Sequence, residues 1–93
     1  DLHGVLMAPH GVGNGLIGLA ALVQVAATLP QNLIACEYPH AYPEWWYEIV
    51  DGLPDPIVKN SLVKVWDRPG LGITINSKQA RRYLQPGDEA FFA

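Results

Sequence analysis

The sequence predicts an α/β fold organised on one strand–helix–strand unit, Val5 to Tyr38, and three observations predict it. From Leu2 through Cys36 there is no Asp, Glu, Lys or Arg, which is the character of parallel strands covered on both faces. A short apolar run ends in Pro9-His10-Gly11 and passes through further glycines into an apolar stretch of helical length. A second apolar run, Leu33 to Cys36, ends in Glu37, so His10 and Glu37 fall at equivalent ends of two strands.

Val5 to Pro9 is too short for a helix and reads as a buried strand, with His10 just past its C-terminal end. Asn14 or Gly13 can cap a helix that begins near Gly15 and runs to Leu29. Leu16, Leu19, Ala20, Val23, Ala26 and Ala27 mark one face at helical spacing, and Ile17, Ala21, Val25 and Leu29 make the opposite face apolar too. A helix apolar all round must be covered by other elements. Pro30 and Asn32 stop it, and strand, helix and strand in this order make a right-handed parallel crossover. Between Tyr38 and Pro56 lie four prolines, four acids and Trp45-Trp46-Tyr47, an ordered loop or short helix whose rings pack. Ile57 to Trp66 reads as a hairpin turning at Asn60-Ser61, Asp67 to Gly70 as a turn, and Leu71 to Ile75 as a strand. Asn76 with Gln79 has the pattern of a capping box, opening a helix that ends at Leu84 before Pro86-Gly87.

At 93 residues the chain has the length of one domain at most. It starts on Asp1 with no basic flank, apolar core and cleavage site, and the start reads as a cut or processed end. Gly15 to Leu29 carries Gln24 and falls short of the roughly 20 residues of a membrane-spanning helix, so no membrane partner is expected. The lone Cys36 excludes an internal disulfide framework, points to a cytoplasmic setting and reads as inert core. The formal charge is -3 and all six basic residues lie between Lys59 and Arg82, interleaved with acids, so no nucleic-acid partner is expected. Two parallel strands and an apolar helix need sheet neighbours and covering helices that the remaining residues cannot supply. The chain therefore reads as the C-terminal part of a larger barrel or sheet, or as a module that completes its core by oligomerising.

Two chemical readings compete for the glycine-rich turn. Gly13, Gly15 and Gly18 match the dinucleotide fingerprint GxGxxG between a strand and a helix, with Glu37 where an acid would hold a ribose. Against this, Pro9, His10, Gly11 and Val12 separate the strand from the first glycine, and such glycines also serve simply to let backbone pass closely. The second reading pairs His10 and Glu37 across neighbouring strand ends, where barrel enzymes keep their active sites. Imidazole titrates near neutrality and can take a proton, while a carboxyl group can hold or protonate a substrate oxygen. The bland alternative is a hydrogen-bonded core histidine and a loop acid.

Met7-Ala8-Pro9-His10, the glycine-rich turn, Ala20-Ala21 with Ala26-Ala27, Pro30-Gln31-Asn32, Glu37-Tyr38 and Val65-Trp66-Asp67-Arg68-Pro69-Gly70-Leu71-Gly72 follow one another in this order. In that combination the chain resembles, over nearly its whole length, the C-terminal region of the enolase superfamily on its mandelate racemase and muconate lactonizing enzyme-like branch. The resemblance implies a fragment of a (β/α)7β TIM-type barrel: the last two barrel strands, the helix between them, and a hairpin and helix returning to a capping domain. Residues 1–53 would form the end of the barrel and residues 54–93 the return segment. It further implies removal of the proton next to a substrate carboxylate, giving an enediolate stabilised by Mg2+. His10 matches the seventh-strand general acid/base, and Glu37 the eighth-strand glutamate that meets the substrate carboxylate. The implied activity is acid-sugar dehydration, with mandelate-type racemisation as the other possibility. The implied partners are a sugar-acid substrate, the rest of the barrel and cap, and further copies in a homo-oligomer.

The family's acidic metal ligands, its second-strand lysine motif and the sixth-strand aspartate that pairs with the histidine have no counterpart in this sequence, so Mg2+ would be held by residues outside it, the tautomer and basicity of His10 are left unspecified, and the chain alone would be inactive. Trp66 stands where relatives often carry proline. His3 and His40 have no metal-ligand spacing with Cys36. Trp45, Trp46 and Tyr47 read as packing groups. A noncatalytic module that folds only with a partner chain stays open beside the enzyme, and the dinucleotide-binding unit stays open behind both.

Overall fold

The computed structural model describes residues 3–11, 14–29, 31–38 and 42–93. Helix α1 spans Gly15–Ala27 and buries Leu16, Leu19, Ala20, Val23 and Ala26, which is the face that the spacing marks, without Ala27. Among the described residues nothing covers much of the opposite face, where Ile17 is 43% and Val25 55% exposed. The helix stops two residues short of Leu29, its end tightening into i to i−3 bonds as Thr28 N–H donates to the Val25 carbonyl at 3.0 Å and Leu29 N–H to the Ala26 carbonyl at 3.1 Å, and the Thr28 hydroxyl donates to the Val25 carbonyl as well, at 2.7 Å. Asn14 sits at the N-cap without a side-chain cap bond and lies against Gly18, where a Cβ would come within 2.5 Å of the Asn14 Cβ.

The two segments flanking α1 run parallel, as the crossover requires. Met7 N–H donates to the Asn32 carbonyl at 2.6 Å and Ile34 N–H donates to the Met7 carbonyl at 2.8 Å. They share one parallel bridge, Met7 with Leu33, rather than forming the two full strands predicted. Asn32 also donates from its side chain to the Val5 carbonyl at 3.3 Å and so clamps the start of the pair. Cys36 is exposed, contrary to the expectation of inert core, because its segment has no second neighbour among the described residues. Leu6 at 61% and Ile34 at 63% exposure share that condition.

Much of the chain after Tyr42 packs on the buried face of α1. Helix α2, Glu44–Ile49, leads into strand β1, Val50–Asp51. Strands β2, Val58–Lys59, and β3, Leu62–Val63, form the expected hairpin, with Asn60 and Ser61 both at positive φ as a type I′ turn demands. The predicted third strand shortens to β4, Thr74–Ile75, and pairs antiparallel with β1, Val50 facing Ile75 and Asp51 facing Thr74. Asn76 Oδ1 accepts the Gln79 N–H at 3.2 Å and opens α3, Ser77–Ala80, which tightens into a 3-10 turn over Arg81–Tyr83.

The core joins Leu16, Leu19 and Val23 of α1 to Tyr42, Val50 and Ile57. Gln24, the one side chain in α1 with a hydrogen-bonding group, donates to the Trp66 carbonyl at 3.2 Å and ties the helix to the motif that follows the hairpin. The Trp66 indole donates to the Leu71 carbonyl at 2.8 Å, and Gly72, at φ +67°, leaves the space that its ring occupies. Arg68 reaches across to the Gly52 carbonyl. Trp46 packs on Tyr42 with ring centroids 4.9 Å apart, and Trp45 stacks on Tyr83 at 4.8 Å, so these rings do serve as packing groups. The Cα radius of gyration is 15.3 Å. A compact domain of this length would have about 12 Å, so the described chain is spread around its core.

Two stability outcomes follow from this packing. Asn76→Ala removes the α3 cap and is expected to cost about 1 kcal/mol in urea unfolding. Tyr42 Oη is buried with no hydrogen-bond partner among the described residues. Tyr42→Phe keeps the ring and removes that hydroxyl, so its unfolding midpoint should stay level or rise, by up to about 1–3 kcal/mol in stability; a loss would show that the hydroxyl has a partner.

Candidate functional site

The parallel segments carry His10 and Glu37 to the same end of the pair. In a regular continuation of the ladder, residue 9 would donate to the Ile34 carbonyl and accept from the amide of residue 36. Pro9 has no N–H to donate. Its carbonyl instead accepts from Glu37 N–H at 3.0 Å, so the register advances by one residue where the two candidate side chains begin. This slip brings residue 37 beside residue 10.

The His10 Nδ1 contacts the Glu37 Oε2 directly. The Gly11 N–H donates to the same oxygen at 3.3 Å. Gly11 is buried, and a Cβ on it would stand 2.6 Å from the Glu37 carbonyl oxygen and 2.8 Å from a Leu22 methyl. Only glycine allows this approach. The imidazole is 74% and the carboxylate side chain 47% exposed, so the pair opens outward and can meet a small molecule. Chemically it is an imidazole held against a carboxylate, two groups that can exchange protons with a ligand.

Tyr38 follows Glu37, and its hydroxyl lies 3.5 Å from that of Tyr47. Burial, with the Tyr47 hydrogen bond and the neighbouring phenols, pushes the Tyr38 hydroxyl well above the usual tyrosine range, so it stays neutral at physiological pH. Glu37 and Tyr38 also edge an apolar cleft of about 370 Å³ between α1, the second parallel segment and β3.

Among the described residues no group of three or more His, Cys, Asp or Glu side chains could hold a metal ion. His3 is exposed, and His40 lies outside the described residues. Of the three glycines in the dinucleotide pattern, Gly13 lies outside the described residues, while Gly15 and Gly18 have local reasons in a positive φ and the Asn14 side chain. Sequence reasoning missed Gly11 as a donor. Its signal was a glycine directly after a strand-end histidine, a position where backbone approaches a neighbour closely.

A family model described as enolase C-terminal domain-like matches residues 1–80. Among curated proteins, the chain is 33% identical over 92 residues to a D-xylonate dehydratase from Haloferax volcanii, covering 98% of this chain and 21% of that protein. It is 32% identical over 91 residues to a D-gluconate/D-galactonate dehydratase from Picrophilus torridus, covering 98% of this chain and 22% of that protein. The chain thus spans about a fifth of the length of the curated relatives it matches. No solved structure matches significantly.

Gly11→Ala is expected to force the two segments apart at Glu37, with a loss of roughly 1–3 kcal/mol typical of an added methyl in packed surroundings. Thermal unfolding measures the loss. The spectrum of backbone amides should show the change concentrated at residues 9–11 and 36–38, and an unshifted Glu37 amide would contradict the geometry.

Proposed function

The chain belongs to the enolase C-terminal domain-like family, and on that premise we propose that it is the C-terminal part of a Mg2+-dependent enzyme that dehydrates sugar acids. The observation that carries this reading is the meeting of His10 and Glu37 at one open strand end. His10 takes the proton from the carbon next to the substrate carboxylate. It then delivers a proton to the departing β-hydroxyl, which leaves as water, and the resulting enol becomes a 2-keto-3-deoxy acid. Glu37 meets the carboxylate end of the substrate. Dehydration is favoured over racemisation because both curated relatives named above are dehydratases.

In this reading residues 1–53 form the last two strands of a (β/α)7β barrel with their helix, and residues 54–93 return toward a capping domain. The exposed Leu6, Ile34, Ile17 and Val25 support it, since they offer an apolar surface for the rest of the barrel, the cap and neighbouring subunits to cover. The described residues do not form a metal cradle by themselves, and no step assigned to this chain runs through a metal. Bound Mg2+ would offset the charge that develops on the deprotonated substrate, its ligands lying on parts of the enzyme outside this chain. The chain alone is then inactive. No helix among the described residues is long and apolar enough to cross a membrane.

The test is the full-length protein with Mg2+ and D-xylonate, D-gluconate or D-galactonate, following formation of the 2-keto-3-deoxy acid. His10→Asn should lower kcat by about 10²–10⁴-fold, the usual contribution of a positioned acid/base. Failure to dehydrate any aldonate, or an unchanged kcat in His10→Asn, would overturn the reading.

A further inference from the structure

We propose that the cavity between Tyr38, Tyr47 and the loop joining β1 to β2 is a second binding site, taking a neutral polyol: a free sugar or an alditol. Neither His10 nor Glu37 lines it, so the site lies apart from the strand-end pair and does not depend on the dehydration reading.

The cavity has a volume of about 660 Å³, within the roughly 300–1,000 Å³ of small-molecule sites. Its walls are tied down. Val50–Asp51 at one end of the loop pairs with β4, Val58–Lys59 at the other end pairs with β3, and Arg68 donates to the Gly52 carbonyl between them. Val50 and Ile57, which line the cavity, belong to the core on the buried face of α1. It therefore stands on the side of the unit that this chain completes, not on the uncovered face of Ile17 and Val25.

The polar groups on these walls select the ligand. The Tyr38 and Tyr47 hydroxyls lie 3.5 Å apart and share at most one bond, which leaves one O–H free to donate. Asp51 and Asp55 bring two exposed carboxylates with no ion-pair partner among the described residues, and a carboxylate only accepts. No Lys, Arg or His among the described residues lines the cavity, so the two carboxylates repel an anion such as a sugar acid. A simple cation would make no use of the phenol O–H. Hydroxyl groups answer both walls, because each can donate to a carboxylate and accept from a phenol. Val50, Pro54 and Ile57 add apolar surface for the C–H faces of such a ligand.

The test is a titration of the full-length protein with xylitol, read by saturation-transfer difference spectra. Xylitol has no carboxylate, so it cannot be turned over by proton removal next to one, and its binding is read independently of the proposed activity. Saturable transfer is expected in the wild type and equally in His10→Asn. Tyr47→Phe and Asp55→Asn, on different walls, should each weaken binding about threefold to tenfold, the effect of one hydrogen bond. An unfolding midpoint matching wild type shows that a variant is folded, and if one fails to fold the other decides. Absence of saturable binding overturns the proposal, as does binding that a folded variant leaves unchanged. Binding abolished in His10→Asn would place the polyol at the strand-end pair and overturn it too. So would tighter binding of 1,3-diaminopropane than of xylitol, the sign of a cation site. An enzyme that dehydrates no aldonate but binds xylitol in this way would remove the dehydration reading and leave this site standing.

Discussion

The pairing of Met7 with the backbone of Asn32 and Ile34 is the constraint on which the site depends. Those two hydrogen bonds, with the side-chain bond from Asn32 to Val5, are what bring a segment before α1 beside a segment after it. Sequence separation between His10 and Glu37 is bridged by the helix, and the loop so closed can hold only if the ends are tied. Pro9 then does something a regular ladder would not. By lacking an amide proton it lets the next main-chain bond fall on Glu37, and the side chains that would alternate away from each other come together.

The helix contributes by what it covers and by what it leaves open. Its buried face packs on Tyr42, Val50 and Ile57, and Gln24 locks it to Trp66, so one side of the unit is complete. The parallel segments have no further strand beside them among the described residues, and their apolar side chains stand exposed. A parallel pair is stable when helices and neighbouring strands bury it on both faces. The same exposure also accounts for the single bridge between segments that the sequence marks as strands. In the proposed reading, the remainder of a barrel supplies those neighbours.

Much of this was legible in the residues. The charge-free run to Cys36 and the helical spacing of Leu16, Leu19, Ala20 and Val23 foretold the crossover, and Asn60-Ser61 and Asn76 marked a turn and a cap that the structure forms. Hidden from sequence reasoning were most pairings with partners distant along the chain, the crossover itself excepted. Val50–Asp51 joins Thr74–Ile75 across a gap that no local pattern spans, and the strand expected from Leu71 starts only at Thr74 because Gly72 yields to the Trp66 ring. Cys36 looked like core because composition cannot tell a covered strand from one awaiting its cover. At the site, the residue types and their strand-end positions were readable, whereas the contact through Nδ1 and the Gly11 donor were not, since both depend on a one-residue slip in register.

The central claim is that His10 and Glu37 act as one unit, and a double-mutant cycle on kcat/KM of the full-length protein in the proposed dehydration tests it most directly. His10→Asn, Glu37→Gln and the double variant are compared with wild type under the same conditions. The account predicts strong non-additivity, with the double variant little worse than the more damaged single one. Losses that simply multiply would show two independent groups and contradict it.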